Sequence, residues 1–270
     1  MARNSLKNVL KLIDEVKEEL PPEKEFLNDL KRSIEISDEK NRRPVSQSYK
    51  PSSMNCLRQM YYIVTGKPEE KELSNYCGIG ICNSGTDIHQ RIQQAVLDMQ
   101  KNGIDCIYVN VADYVEARGC SLDYLEIVEK PNFKKGKFET KLFHKKLNMS
   151  FLCDGIIRYK DRYYILEIKS EGSNKFFNRN DVNPDHYNQG TAYSVALDID
   201  NVIFVYINRD IFDMKSFMFT PTDEMKQNFV GRITECDNYV KNLKVPPKPI
   251  DVPRKTCEYC KYKNECRKDG

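Results

Sequence analysis

At 270 residues the chain can form one large domain or two small ones, and 40% apolar with 31% charged residues describes a globular protein with a sizeable core. It holds no run of about 18 apolar residues, which excludes a membrane-spanning helix, and its opening MARNSLKNVLKLIDEVKEEL lacks the apolar centre of a signal peptide; a cytoplasmic setting without a membrane partner is expected. A net charge of +3 neither demands nor excludes nucleic acid, so any phosphate-binding surface must be a local patch.

Residues 1–50 read as a polar, helical N-terminal extension: LKNVLKLIDEVKEEL, a PPEK break, EFLNDLKRSIEIS, then loop composition. SSMNCLRQMYYIVTG predicts a short capped helix ending at Gly66. NSGTDIHQRIQQAVLDMQKNG predicts an amphipathic helix with Ile88, Ile92, Ala95, Val96 and Met99 on one face and Gly103 as its stop. IDCIYVNVADYV and LDYLEIVEK are ambiguous between strand and loop. From KFETKLFHKKLNMS to YYILEIKS the pattern is strongly β, two or three strands with tight turns. PDHYNQGTAYSVAL is helical, NVIFVYIN a buried strand, and DMKSFMFT its hairpin partner. TPTDEMKQNFVGRITECDNYVKNL predicts a long capped helix ended by PPKP. Strands, helix, strand is the order of an α/β core, a central mixed sheet flanked by helices, here over 51–250. No internal repeat and no Walker-type GxxxxGK[ST] occurs, so the chain carries no motor for unwinding nucleic acid.

The stretch FLCDGIIRYKDRYYILEIKS sets Asp154, Glu167 and Lys169 among apolar residues, where charge is rare without a reason. Strand side chains alternate, so Glu167 and Lys169 share a face while Leu166 and Ile168 take the other. An even turn centred between Lys160 and Asp161 sets Asp154 opposite Glu167; an odd loop without a bulge would turn Glu167 away. Two carboxylates about 5 Å apart repel unless a proton or cation lies between them. Mg²⁺ or Mn²⁺ suits such oxygen donors, and a lysine beside them can position water or stabilise developing negative charge. A salt-bridged surface hairpin would leave the same pattern.

Ten cysteines are many for a chain without a secretion signal, and clustered thiols in a reducing compartment bind metal more often than they pair. Cys77, Cys82, Cys106, Cys120, Cys153 and Cys236 are scattered and read as small apolar residues. Cys257, Cys260 and Cys266 form CEYCKYKNEC in the terminal segment 251–270 and need a fourth ligand to close a site. Lys255, Lys261, Lys263, Arg267 and Lys268 surround them, as a solvated face or as contacts to a DNA backbone.

Asp154 with Glu167-Ile168-Lys169, His89 in GTDIHQRI, and Gln189 and Tyr193 in YNQGTAY together resemble the PD-(D/E)XK nuclease superfamily, in its RecB-type branch. Gln189 and Tyr193, four apart, share a helical face. The resemblance implies a restriction-endonuclease-like core in which His89, Asp154 and Glu167 coordinate a catalytic Mg²⁺ or Mn²⁺. Lys169 would assist the attacking water, and Gln189 and Tyr193 would position substrate or lysine. Glu139, in KFETKL, stands where some relatives carry an additional acid near the metal. Relatives with an iron–sulfur cluster, the AddB-type and CRISPR-associated exonucleases, take an upstream cysteine as fourth ligand, here Cys56 in PSSMNCLRQMYY. The resemblance thus implies a 4Fe–4S cluster on Cys56, Cys257, Cys260 and Cys266, with zinc as the competitor. The function it implies is an exonuclease acting on single-stranded or processed DNA ends, with a helicase, recombination or CRISPR-adaptation partner. The alternative is a non-catalytic DNA-binding module with a structural zinc or iron–sulfur site.

Overall fold

A computed structural model describes residues 20–41, 46–70, 75–249, 257–258 and 260–269. The helix expected over LKNVLKLIDEVKEEL lies, but for Leu20, outside these residues, as does Lys255. The chain divides into two units, one of Met1–Arg43 with Leu73–Gly80 and one of Pro44–Glu72 with Ile81–Gly270.

In the first unit, helix α1 (Pro22–Lys40) starts on the second proline of the pair, where a missing N–H costs nothing, with Glu23 and Glu25 in its first turn. Its Glu35 Oε1 accepts from the Tyr76 N–H at 3.1 Å, and the Lys31 ammonium lies 4.9 Å from the centre of the Tyr76 ring.

The second unit opens with α2 (Leu57–Val64), ended as expected by Gly66 at φ +68. Helix α3, Tyr76–Met99, has its first residues in the first unit and is longer at its start than the sequence predicts, because Gly78 and Gly80 depress helix propensity there. The ambiguous stretches resolve as strand β1 (Cys106–Val109), helix α4 (Val111–Arg118) capped by the Asn110 side chain, and strand β2 (Leu125–Glu129). Strands β3 (Thr140–His144), β4 (Met149–Cys153), β5 (Gly155–Tyr159) and β6 (Arg162–Glu171) follow. After them come α5 (Ser173–Phe177), α6 (Tyr187–Leu197), β7 (Val202–Asn208), β8 (Met214–Phe219), α7 (Asp223–Lys241) and α8 (Lys263–Lys268).

The main sheet is mixed, with order β1-β5-β6-β7-β8: β6 and β7 are parallel and every other pair is antiparallel. Strands β2, β3 and β4 form a separate antiparallel sheet. On one side Leu166 and Ile168 of β6 bury against Ile88 and Ile92 of α3. Core residues Ile165, Val202 and Phe204 pack instead with Ala192 and Ala196 of α6 and with Phe229 and Ile233 of α7. Helix α6 lies very close: a Cβ at Gly190 would fall 2.8 Å from the Phe219 ring. Sheet and helices thus form the mixed α/β layers that the sequence predicts. Among the described residues no helix is long and apolar enough to cross a membrane.

The β5–β6 hairpin fixes the geometry that matters. Tyr159 pairs with Arg162 and Gly155 with Leu166 across a two-residue turn, Lys160–Asp161. Both turn residues have positive φ, +47 and +61, as a type I′ turn requires to match strand twist. Continuing that register sets Asp154 opposite Glu167, the even-turn arrangement expected.

Candidate functional site

Asp154 occupies the step between β4 and β5, 5% exposed. Four groups hold it: its Oδ2 accepts from the Ile168 N–H at 2.7 Å, its Oδ1 lies 3.1 Å from His89 Nδ1, and its carbonyl accepts from Gln93 Nε2 (2.7 Å) and the Tyr108 hydroxyl (2.9 Å). His89 and Gln93 are one turn apart on α3, so one helical face reaches both ends of the residue. Gln93 and Tyr108 were not anticipated; their partner lies 61 and 46 residues away in the chain.

One ligand atom each from His89, Glu139 and Asp154 gather within 4.8 Å of one another, the only such group among the described residues. Glu139, just before β3, is thus inside the cluster. Glu167 lies beside it with its two oxygens differently placed. Its Oε1 accepts from Lys169 Nζ at 2.5 Å and from Gln189 Nε2 at 2.7 Å, while its Oε2 is buried without a hydrogen-bond partner. Gln189 Oε1 accepts from Lys169 at 2.9 Å, and its Nε2 also donates to the Tyr193 hydroxyl at 2.8 Å. The Tyr193 hydroxyl in turn donates to the Leu152 carbonyl at 2.8 Å. The tyrosine therefore fixes which end of the Gln189 amide faces the lysine. Four anticipated residues, Glu167, Lys169, Gln189 and Tyr193, form one hydrogen-bonded network, and Asp154 stands beside it, bonded to His89 and grouped with Glu139.

Burial, and then the charge of Asp154, pushes the Glu139 carboxyl up to about 7. The same two causes, in the same order, push Glu167 up to about 8 against the opposing pull of Lys169. His89 is raised by Asp154 and Glu167 despite its burial. Acids held near protonation around an unpartnered buried oxygen are a site short of positive charge. Three oxygen and nitrogen donors converging on one point fit a hard divalent cation.

The four cysteines anticipated as one ligand set line a single cavity of about 380 Å³ with Arg58, Tyr62 and Lys248. Cys56 precedes the first turn of α2 and is buried; Cys257, Cys260 and Cys266 come from the terminal segment. Burial raises the Cys56 and Cys260 thiols first, and the neighbouring thiols add to it. N–H groups already point at the sulfurs: Arg58 Nη1 donates to Cys266 Sγ and the Tyr262 N–H to Cys260 Sγ, each at 3.4 Å. Of the surrounding cations, Lys261 pairs with Glu69 (3.1 Å) and Lys268 with Glu265 (2.5 Å). Unlike the His89 group, no three of these thiols draw within 4.8 Å of one another.

No family model matches the sequence, and no curated protein does. Among solved structures the chain is similar to the crystal structure of SSO0001, an archaeal protein, at 16% identity and a TM-score of 0.48, over 91% of this chain and 98% of that one. At those values the likeness is distant and transfers no residue's role.

Proposed function

We propose that the chain is a metal-dependent deoxyribonuclease of the PD-(D/E)XK type, hydrolysing phosphodiester bonds at single-stranded or processed DNA ends. The observation that carries this reading is the convergence of His89, Glu139 and Asp154 beside the Glu167–Lys169–Gln189 network. His89, Glu139 and Asp154 would hold Mg²⁺ or Mn²⁺, with the unpartnered Oε2 of Glu167 available beside them. Such an ion polarises a phosphoryl oxygen and makes a bound water acidic. The protein's own groups do the rest. Lys169 spends two of its three N–H donors on Glu167 and Gln189, leaving one for water or a phosphate oxygen. Gln189 holds the ammonium in place, and Tyr193 holds Gln189.

The cysteine cavity favours a 4Fe–4S cluster on Cys56, Cys257, Cys260 and Cys266 over zinc. A single zinc with Zn–S bonds of about 2.3 Å pulls four sulfurs into close mutual contact, whereas these thiols line a wider space and receive N–H donors. DNA is the expected partner; unwinding would come from a separate helicase, in recombination or CRISPR adaptation.

The test is cleavage of end-labelled single-stranded DNA by the anaerobically purified chain with Mn²⁺. Asp154→Asn and Lys169→Met should each lower the rate by at least about 100-fold. Parent activity no higher than that of Asp154→Asn would leave the non-catalytic DNA-binding module as the reading. On the same sample, a broad absorption band near 400 nm with about four irons per chain is expected; one zinc and no colour would replace the cluster.

A further inference from the structure

The segment KPNFKKGK, residues 130–137, holds four lysines and no acid. Its tip is a closed loop. The Asn132 N–H donates to the Lys137 carbonyl at 2.7 Å, the Lys137 N–H returns to Asn132 at 3.0 Å, and Gly136 closes the turn at φ +67. Lys134, Lys135 and Lys137 are exposed, with Lys137 3.7 Å from Glu129. Between them Phe133 stays 38% exposed, although its ring meets Tyr108 edge-on at 6.2 Å and Phe138 at 5.7 Å.

Three links tie this loop to the site. Tyr108, under Phe133, is the residue whose hydroxyl holds the Asp154 carbonyl. Gly136 abuts α3 at Gln90, the neighbour of His89: a Cβ there would fall 3.8 Å from Gln90 Oε1. Glu139 follows Lys137 by two residues. A lysine run by itself is ordinarily a solvated face, but here it surrounds a braced, exposed aromatic ring at the rim of a candidate metal centre.

We propose that the loop Asn132–Lys137 binds single-stranded nucleic acid, with the Phe133 ring as a stacking platform for a base and Lys134 and Lys135 on the flanking phosphates. The loop rests on the nuclease reading only for the destination of the strand. Base–aromatic stacking needs an unstacked base, so the platform favours single strands, whereas the lysines grip any backbone. The loop thereby selects frayed or single-stranded ends for the neighbouring site.

Fluorescence anisotropy on the full chain in chelator, where no cleavage occurs, measures this with a labelled thymidine oligomer of about 20 nucleotides and a duplex of the same length. Phe133→Leu keeps an apolar body against Tyr108 and Phe138; it should weaken single-strand binding about tenfold and leave duplex binding within twofold. Lys134→Gln with Lys135→Gln should weaken both, and lower the salt slope on the single strand by about 1.4. Phe133→Leu binding the single strand as tightly as the parent, or losing both substrates equally, would overturn the platform; an unchanged salt slope in the lysine pair would overturn the grip. If the loop variants bind normally while the parent cleaves with Mn²⁺, the loop is wrong and the nuclease stands. If they lose binding while the parent cleaves nothing, the loop stands and the nuclease reading falls.

Discussion

Gly155 follows Asp154 directly, and a single methyl there tests whether Tyr108 positions the acid. A Cβ at 155 would lie 2.6 Å from Tyr108 Cε2 and 3.1 Å from its Cζ and hydroxyl oxygen. Ordinary carbon contacts begin near 3.5 Å, so the ring must retreat by about 1 Å. It has nowhere to go: Tyr108 is packed in a cluster with Ile88, Ile92 and Ile157, and Phe133 stands against it. Overpacking of this kind costs about 1–3 kcal/mol, and straining the 2.9 Å bond to the Asp154 carbonyl adds about 1 kcal/mol. A stiffer unfolded chain returns about 0.4–1 kcal/mol. Gly155→Ala should therefore lose about 1.5–3 kcal/mol in urea unfolding of the metal-free chain, with the m-value unchanged. In a Tyr108→Leu background, where the obstructing ring atoms are gone, the same substitution should cost less than about 0.5 kcal/mol. Equal costs in the two backgrounds would refute the reasoning, since the methyl would then be colliding with something other than the tyrosine.

Folded, metal-free protein holds protons on Glu139 and Glu167 up to about pH 7 and 8, while the unfolded chain releases them near 4.5. Stability should therefore fall as pH rises from about 5 to 8, and His89, raised by its bond to Asp154 despite its burial, pushes in the same direction. Mn²⁺ should reverse the fall by replacing the protons. Urea midpoints at the two ends of the range, with and without Mn²⁺, measure both; a Glu139→Gln, Glu167→Gln chain should show a flatter profile, and an identical one would sink the assignment. Arg58, 4% exposed, donates to the carbonyls of Pro246 and Cys266, each at 2.9 Å. Arg58→Met strands both acceptors and should cost about 2–4 kcal/mol and open the terminal segment to protease; unchanged proteolysis would show that the segment is held by other means.

Strand alternation and turn parity were enough to bring Asp154, Glu167 and Lys169 together, because a period of two leaves only two outcomes per strand and the observed turn is even. The turn residues themselves gave no such signal: Lys160 and Asp161 adopt positive φ without the Asn-Gly pair that usually marks a type I′ turn. Helix α4 stayed hidden because eight residues are barely two turns, too few for a helical period to separate from alternation, although Asn110 stood at its cap. Glu139 could be placed near the site only by resemblance, and the structure groups it with His89 and Asp154, with Glu167 outside that cluster. Gln93 was one helical turn from His89 and so legible as a neighbour of that face, but its bond to a backbone carbonyl depends on a contact no local pattern encodes.

The cysteine cavity also sets an order of events in time. Residues 56–70 are finished by their partners from the far end of the chain: Arg58 by Cys266, Tyr62 by Asp269, Glu70 by Lys261. The last side chain of the acid–lysine network, Tyr193, leaves the ribosome more than 70 residues earlier than Cys266. At about 5–20 residues per second that is an interval of roughly 4–15 s, in which the hairpin can close around its acids while Cys56 still faces water without its partner thiols. A chain interrupted in that window would carry the acids and the lysine without the closure at its base, so the acid network can be complete while the cysteine cavity is still open.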